Sequence, residues 1–189
     1  ILAPWQADSN ELDITEPYQI RLPGGKTITI FFFQGELSGR LSFDPKTTCD
    51  ASHFIQNDLL IYYRKEKTNR GEPQLVLVAT DGELYGHHQP HRERFLAQLL
   101  NGATSTAGLT MLYPALWLQS FPIRNEIGIK EYTSWSCNHG LLRWKGECPC
   151  SLRDASWKYY LRASLERLAA DLDWIFFDAT YPHIPKPRR

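Results

Sequence analysis

The residues carrying the most chemistry in one place are Asp81, Glu83, His87 and His88, in the stretch LVLVATDGELYGHH at 75–88. Two carboxylates and two imidazoles directly follow an apolar run, and that arrangement opens several kinds of chemistry. A carboxylate at such a position acts as a general acid/base when burial or a like charge raises its pKa. Glu83 can supply that like charge, or it can hydrogen-bond a substrate hydroxyl. Asp81, His87 and His88 can instead ligate a divalent metal, as in a metal-dependent deacetylase, with His91 close by. The plain alternative is that Asp81-Gly82 makes an ordinary turn and that Glu83 is solvated.

A second concentration lies in YTSWSCNHGLLRWKGECPC at 132–150. Cys137, His139, Cys148 and Cys150 are the ligand types of a tetrahedral zinc site. Their spacing departs from the usual pattern, because Cys148 and Cys150 have one residue between them rather than two to four. Three readings stay open: free packed thiols, a metal site, or a disulfide from Cys137 to Cys148 or Cys150. Trp135 and His139 offer a different use, since an aromatic face beside hydroxyl and imidazole groups grips a sugar ring. No cofactor is required by this pattern, and zinc is the one it could accept.

Elements must position these groups. The run at 74–80 reads as a strand buried on both faces of a parallel sheet. Residues 26–33 (KTITIFFF) read as a strand, paired as a hairpin with 18–22 across the turn Pro23-Gly24-Gly25. A strand stub is expected at 1–3 and a short strand at 126–129. Helices are expected at 37–43, 51–64, 88–101 with Gly102 as C-cap, 109–119 with Pro114 kinking or beginning it, and 152–177. The last carries Leu161, Leu165, Leu168, Leu172 and Ile175 on one stripe. Residues 64–73 read as a solvated connection and 181–189 as an irregular tail. Strands alternating with helices predict an α/β fold with a mainly parallel sheet and a long C-terminal helix. In such folds active sites sit beyond the carboxyl ends of strands, where Asp81 falls.

Composition narrows the partners. The chain has 189 residues, with 21 basic and 21 acidic side chains. Balanced charge gives no electrostatic reason to expect nucleic acid, and KPRR at the end is a short basic tail only. No apolar run approaches the roughly 20 residues that span a bilayer. No signal-peptide pattern occurs, so no membrane association and a cytoplasmic location are the expectations. The start ILAPWQA reads as a strand cut from something longer. The expectation is one domain over 1–189 that is a fragment of a larger catalytic domain.

Four segments sharpen this picture: ILAPWQA, FFFQGELSGRLSF, DGELYGHH and YTSWSCNHGLLRWKGECPC. In this order they resemble a bacterial branch of proteins related to glycoside hydrolase family 57. DGELYG is similar to that family's motif in which an Asp ends a barrel strand. The resemblance implies part of a distorted (β/α)7 barrel that hydrolyses or transfers α-glucans with retention. It puts the general acid/base role on Asp81, with Glu83 and His87 on the same rim and Trp5 and Gln6 at the end of a neighbouring strand. It also puts the segment of Trp135 and His139 near the barrel mouth. Retention needs a second carboxylate about 5 Å away as nucleophile. That Glu is expected upstream of this chain, and Glu36 is not promoted to the role. The isolated chain is therefore expected to be inactive, its partner an oligo- or polysaccharide, and a catalytically inactive sugar-binding protein is the competing expectation.

Overall fold

The computed structural model describes residues 1–180, with side chains described through 177. Two compact units emerge, Ile1–Glu131 and Tyr132–Arg189.

The first unit is built around a small mixed sheet. Strand β1 (Tyr18–Arg21) pairs antiparallel with β2 (Thr27–Ile30), Tyr18 facing Ile30 and Arg21 facing Thr27. The connecting turn needs positive φ at two successive positions, and Gly24 (78°) and Gly25 (77°) supply it without a Cβ clash. On its other side β1 pairs in parallel with β3 (Asn125–Glu126), so the order is β2-β1-β3. The expected hairpin is present. The stub at 1–3 forms a parallel bridge, Leu2 to Phe32.

Helix α1 (Gly35–Phe43) follows β2, and α2 (Ala51–Phe54) runs on through a π-turn at Ile55–Leu59 and a 3-10 turn at Leu60–Tyr62. Helix α3 (Lys65–Asn69) occupies the stretch expected to be a solvated connection. Its polar sequence has no apolar period to announce a helix, and none of its residues is buried. Helix α4 (Arg92–Gln98) continues through a π-turn at Leu99–Ala103 into α5 (Thr104–Thr106). Gly102 therefore kinks a continuing helical path, at φ 122°, and does not cap its end. Helix α6 (Pro114–Ser120) begins at its proline, where the missing N–H costs nothing.

The main core lies between α1, α2 and α4. Leu37, Leu41, Phe54, Ile55, Phe95 and Leu99 are buried together. Phe54 and Phe95 meet edge to face with ring centroids 5.2 Å apart. Tyr18, Ile20, Ile30 and Phe32 form a second cluster on the sheet, and Phe31, Leu77 and Trp117 a third.

The run at 74–80 departs from expectation. It is extended but joins no ladder, and only Leu77 in it is buried. Two backbone bonds hold it, Leu75 N–H to Thr15 O at 2.8 Å and Gln34 N–H to Leu77 O at 2.8 Å. An apolar run marks where a strand could be buried, but pairing needs a neighbour at each ladder position. The sheet described is mixed rather than mainly parallel, and it does not amount to a barrel.

In the second unit, helix α7 (Leu142–Lys145) is followed by the long α8 (Trp157–Trp174) and a π-turn at Ile175–Thr180. Helix α8 starts five residues later than expected, because Asp154 accepts from Ser156 N–H at 2.9 Å and holds a turn just before it. Leu161, Leu165, Leu168, Leu172 and Ile175 are about half exposed. The tail at 181–189 lies outside the described residues. Among the described residues no helix is long and apolar enough to cross a membrane.

Candidate functional site

Three extended segments of the first unit lie side by side. Leu2 N–H donates to Phe31 O (2.8 Å) and Phe33 N–H to Leu2 O (3.1 Å), while Gln34 N–H reaches Leu77 O. Ala79 N–H donates to Ser38 Oγ at 3.1 Å. The segments thus deliver Trp5, Gly35 and Asp81 just past their ends.

Asp81 starts the single 3-10 turn Gly82–Leu84, and its carboxylate makes no capping bond to that turn. It is exposed. Glu83 is also exposed, and its Oε2 lies 2.9 Å from Nε2 of His88. The rings of His87 and His88 meet edge to face at 4.7 Å. The loop then turns back through Gly86 at φ 106°, with Gly86 N–H donating to Gln89 O at 3.2 Å.

Two residues fasten this loop to α1. Gln89 Nε2 donates to Ser42 O at 3.2 Å, and Arg92 Nη1 donates to Leu41 O at 2.7 Å. Arg92 is buried, and its Nη2 has no partner among the described residues. Thr80 and Tyr85 share a hydroxyl–hydroxyl bond at 3.1 Å across the turn that holds Asp81. Sequence reasoning missed Arg92 and Tyr85, since neither type nor spacing distinguishes an anchoring arginine from a solvated one. A groove beside the loop is lined by Cys49, His88, Gln89, His91, Arg92 and Phe95; Asp81 does not line it.

Trp5 is half-buried and packs edge to face on Phe33, with centroids 6.4 Å apart. Gln6 is buried, and its Oε1 accepts the Ala3 N–H at 3.0 Å, closing its own turn. Trp135 is exposed, and it sits in the second unit with His139.

That unit holds the tightest constellation. Cys137 Sγ lies 3.4 Å from His139 Nδ1, 3.5 Å from Cys148 Sγ and 3.5 Å from Cys150 Sγ. Cys148 Sγ lies 3.4 Å from His139 Nδ1 and 3.1 Å from Cys150 Sγ. All four ligand atoms fall within 4.8 Å of one another. The four cysteines are free thiols, so the disulfide reading has no bond here. Desolvation pushes the Cys148 thiol up, but the Cys150 backbone amide and the neighbouring thiols outweigh it and leave it below the usual thiol range. Cys150 goes the other way, to about 11, because its proton is held by Cys148 and Cys137. Among the described residues this is the one group of three or more such side chains that could hold a metal; Asp81, His87 and His88 do not gather into one.

The exo-type maltose-forming amylase of Pyrococcus sp. ST04 matches 94% of this chain at a TM-score of 0.74 and 16% identity. The matched region shares its fold. The chain spans about a third of that amylase's length (34%). A 4-alpha-glucanotransferase of Thermococcus litoralis also aligns, with a TM-score of 0.46 and 15% identity over 94% of this chain and 23% of that one. No protein-family model and no curated protein matches the sequence.

Proposed function

We propose that this chain is part of a carbohydrate-active enzyme that hydrolyses or transfers α-glucans with retention, and that Asp81 is its general acid/base. The observation that carries the reading is Asp81 itself, a carboxylate left uncommitted by its own turn, just past an extended segment. The resemblance of DGELYG to the family 57 motif and the fold shared with a maltose-forming amylase both support it.

In this mechanism Asp81 protonates the departing glycosidic oxygen while a Glu from outside this chain attacks the anomeric carbon. The resulting glycosyl-enzyme then reacts with water, or with a sugar hydroxyl in transfer, and Asp81 takes the proton of the incoming group. Glu83 and His87 line the same rim and bind sugar hydroxyls, and Trp5 and Gln6 belong to the adjoining strand end; Trp135, in the second unit, is by itself an exposed face on which a sugar ring can stack. A metal-dependent deacetylase using Asp81, His87 and His88 finds no support in the geometry.

The test is activity of the intact polypeptide on a panel of α-glucans, beside an Asp81→Asn variant shown to be folded. The variant is expected to lose about 10²–10⁴-fold in rate. An intact protein that binds α-glucans but releases no product, with or without the substitution, would favour an inactive sugar-binding protein.

A further inference from the structure

The geometry points to a single tetrahedral zinc ion bound by Cys137, His139, Cys148 and Cys150, acting as the structural centre of the second unit. Zinc bound to thiolate at about 2.3 Å and imidazole at about 2.0–2.1 Å requires ligand atoms roughly 3.6–3.8 Å apart along the edges of a tetrahedron. Five of the six ligand pairs lie at 3.1–3.5 Å, near that edge length, and all six lie within 4.8 Å.

The local chain is built for this convergence. Cys137 forms a bridge with Ser134, and turns at 138–141 and 149–150 fold each second ligand back beside its first. The first of these turns requires Gly140 at φ 67°, where an added Cβ would sit 3.0 Å from Tyr132 O. One-residue spacing, unusual for zinc ligands, is accommodated in this way. His139 N–H donates to Cys137 Sγ at 3.4 Å, which fixes the direction in which that sulfur faces its neighbours. Binding would release the thiol protons and leave a site of net charge −1 from three thiolates and one Zn²⁺. Arg143, whose Nη1 donates to Ser136 O at 3.1 Å, stands beside the cluster as a compensating cation.

The packing of the unit gives the second, independent argument. Its buried described residues are Ser134, Cys137, Cys148 and Ala155, so two of the four are proposed ligands. Among the described residues, the three hydrophobic core clusters belong to the first unit. A small unit with so little apolar burial needs a staple, and metal binding supplies folding free energy directly. All four positions are taken by protein, which leaves none for water or substrate; the centre is structural and not catalytic. It would fix Ser134 and Ser136, joined at 2.9 Å, and so set the backbone that presents Trp135.

The test is metal analysis of the protein, purified under reducing conditions without added chelator and then equilibrated with zinc chloride and desalted. The expected result is one zinc per chain. Cobalt substitution should give the intense visible d–d bands of a tetrahedral site with thiolate charge transfer. Cys150→Ser, at the most exposed ligand, and His139→Gln should each lower retained zinc at least tenfold after dialysis against a weak chelator. Chelation should make the three ligand thiols reactive in addition to the already exposed Cys49, and lower the melting temperature. Zinc far below one per chain, iron in its place, octahedral cobalt spectra, or an intramolecular disulfide in the freshly reduced protein would each overturn the proposal. If a ligand variant fails to fold, the cobalt spectrum and zinc stoichiometry of the unsubstituted protein decide alone.

Discussion

Lys67 Nζ lies 2.7 Å from Asp13 Oδ2, with both side chains largely buried, and ties α3 to the loop that precedes β1. Asp13 Oδ1 also accepts from Thr15 N–H (2.9 Å) and Thr15 Oγ1 (2.7 Å). Desolvation alone would raise the Asp13 pKa, but these bonds and the Lys67 charge outweigh it and hold it below 3.8. Lys67 is likewise desolvated, yet Asp13 and Glu16 raise it above 10.5.

This pair sets a pH dependence of stability. A depressed carboxyl contributes stability that is fully present above its unfolded pKa and is lost as pH falls through the folded one. Asp13 therefore weakens the fold only below about pH 4. A raised ammonium contributes fully below its unfolded pKa and is lost as pH rises through the folded one, so Lys67 weakens it only above about pH 10.5. Lys67→Met removes the nearer of the two cations at Asp13, leaving Arg64 at 3.4 Å, and should cost about 1.5–3 kcal/mol near neutral pH. Urea unfolding followed across pH checks both statements; a loss that persists undiminished at pH 2.5 would contradict the assignment to Asp13.

Phe95 is buried and set edge to face on Phe54 at the centre of the main core. Phe95→Ala removes that contact and leaves a cavity, at an expected cost of about 3–5 kcal/mol. Chemical denaturation should show a lower midpoint with an unchanged slope.

Gly86 sits at φ 106°, and a Cβ there would meet Glu93 Oε2 at 3.4 Å. Gly86→Ala should cost about 1–3 kcal/mol in strain and shift the loop that starts at Asp81. If the loop positions the acid/base, kcat of the intact enzyme falls more than KM rises. A stability loss with unchanged kcat would separate the loop's conformation from the chemistry.

Trp135 is 65% exposed, so its truncation removes little packing. Trp135→Ala should leave the melting temperature nearly unchanged while weakening α-glucan binding by about 3–10-fold, the worth of one stacking face. Calorimetric titration of maltooligosaccharides against both proteins measures it. Equal affinities would show that Trp135 stacks on no sugar ring.

Much of the first unit was legible because its signals are local. Pro23-Gly24-Gly25 announces the β1–β2 hairpin, and Leu37, Leu41 and the Asp44-Pro45 break announce α1. The pairing of 74–80 was not legible, since an apolar run records burial but not which neighbours will bond to it. Nor was α3, whose polar sequence carries no period, or the kink at Gly102, where a residue suited to ending a helix instead bends it. The four thiol and imidazole ligands were legible as types, but their spacing argued against a metal until the turn at Gly140 brought them together. Arg92 left no sequence signal at all; only its bond to Leu41 reveals that it anchors the Asp81 loop.

The central claim is the acid/base role of Asp81, and azide rescue tests it most directly. The intact polypeptide with Asp81→Ala should still form its glycosyl-enzyme from a maltosyl substrate with a good leaving group, which needs no acid. Azide, needing no general base, should then accelerate turnover and give the α-glycosyl azide, the retained product. If azide changes nothing, or the product is the β-glycosyl azide, Asp81 is not the acid/base of a retaining α-glucan enzyme.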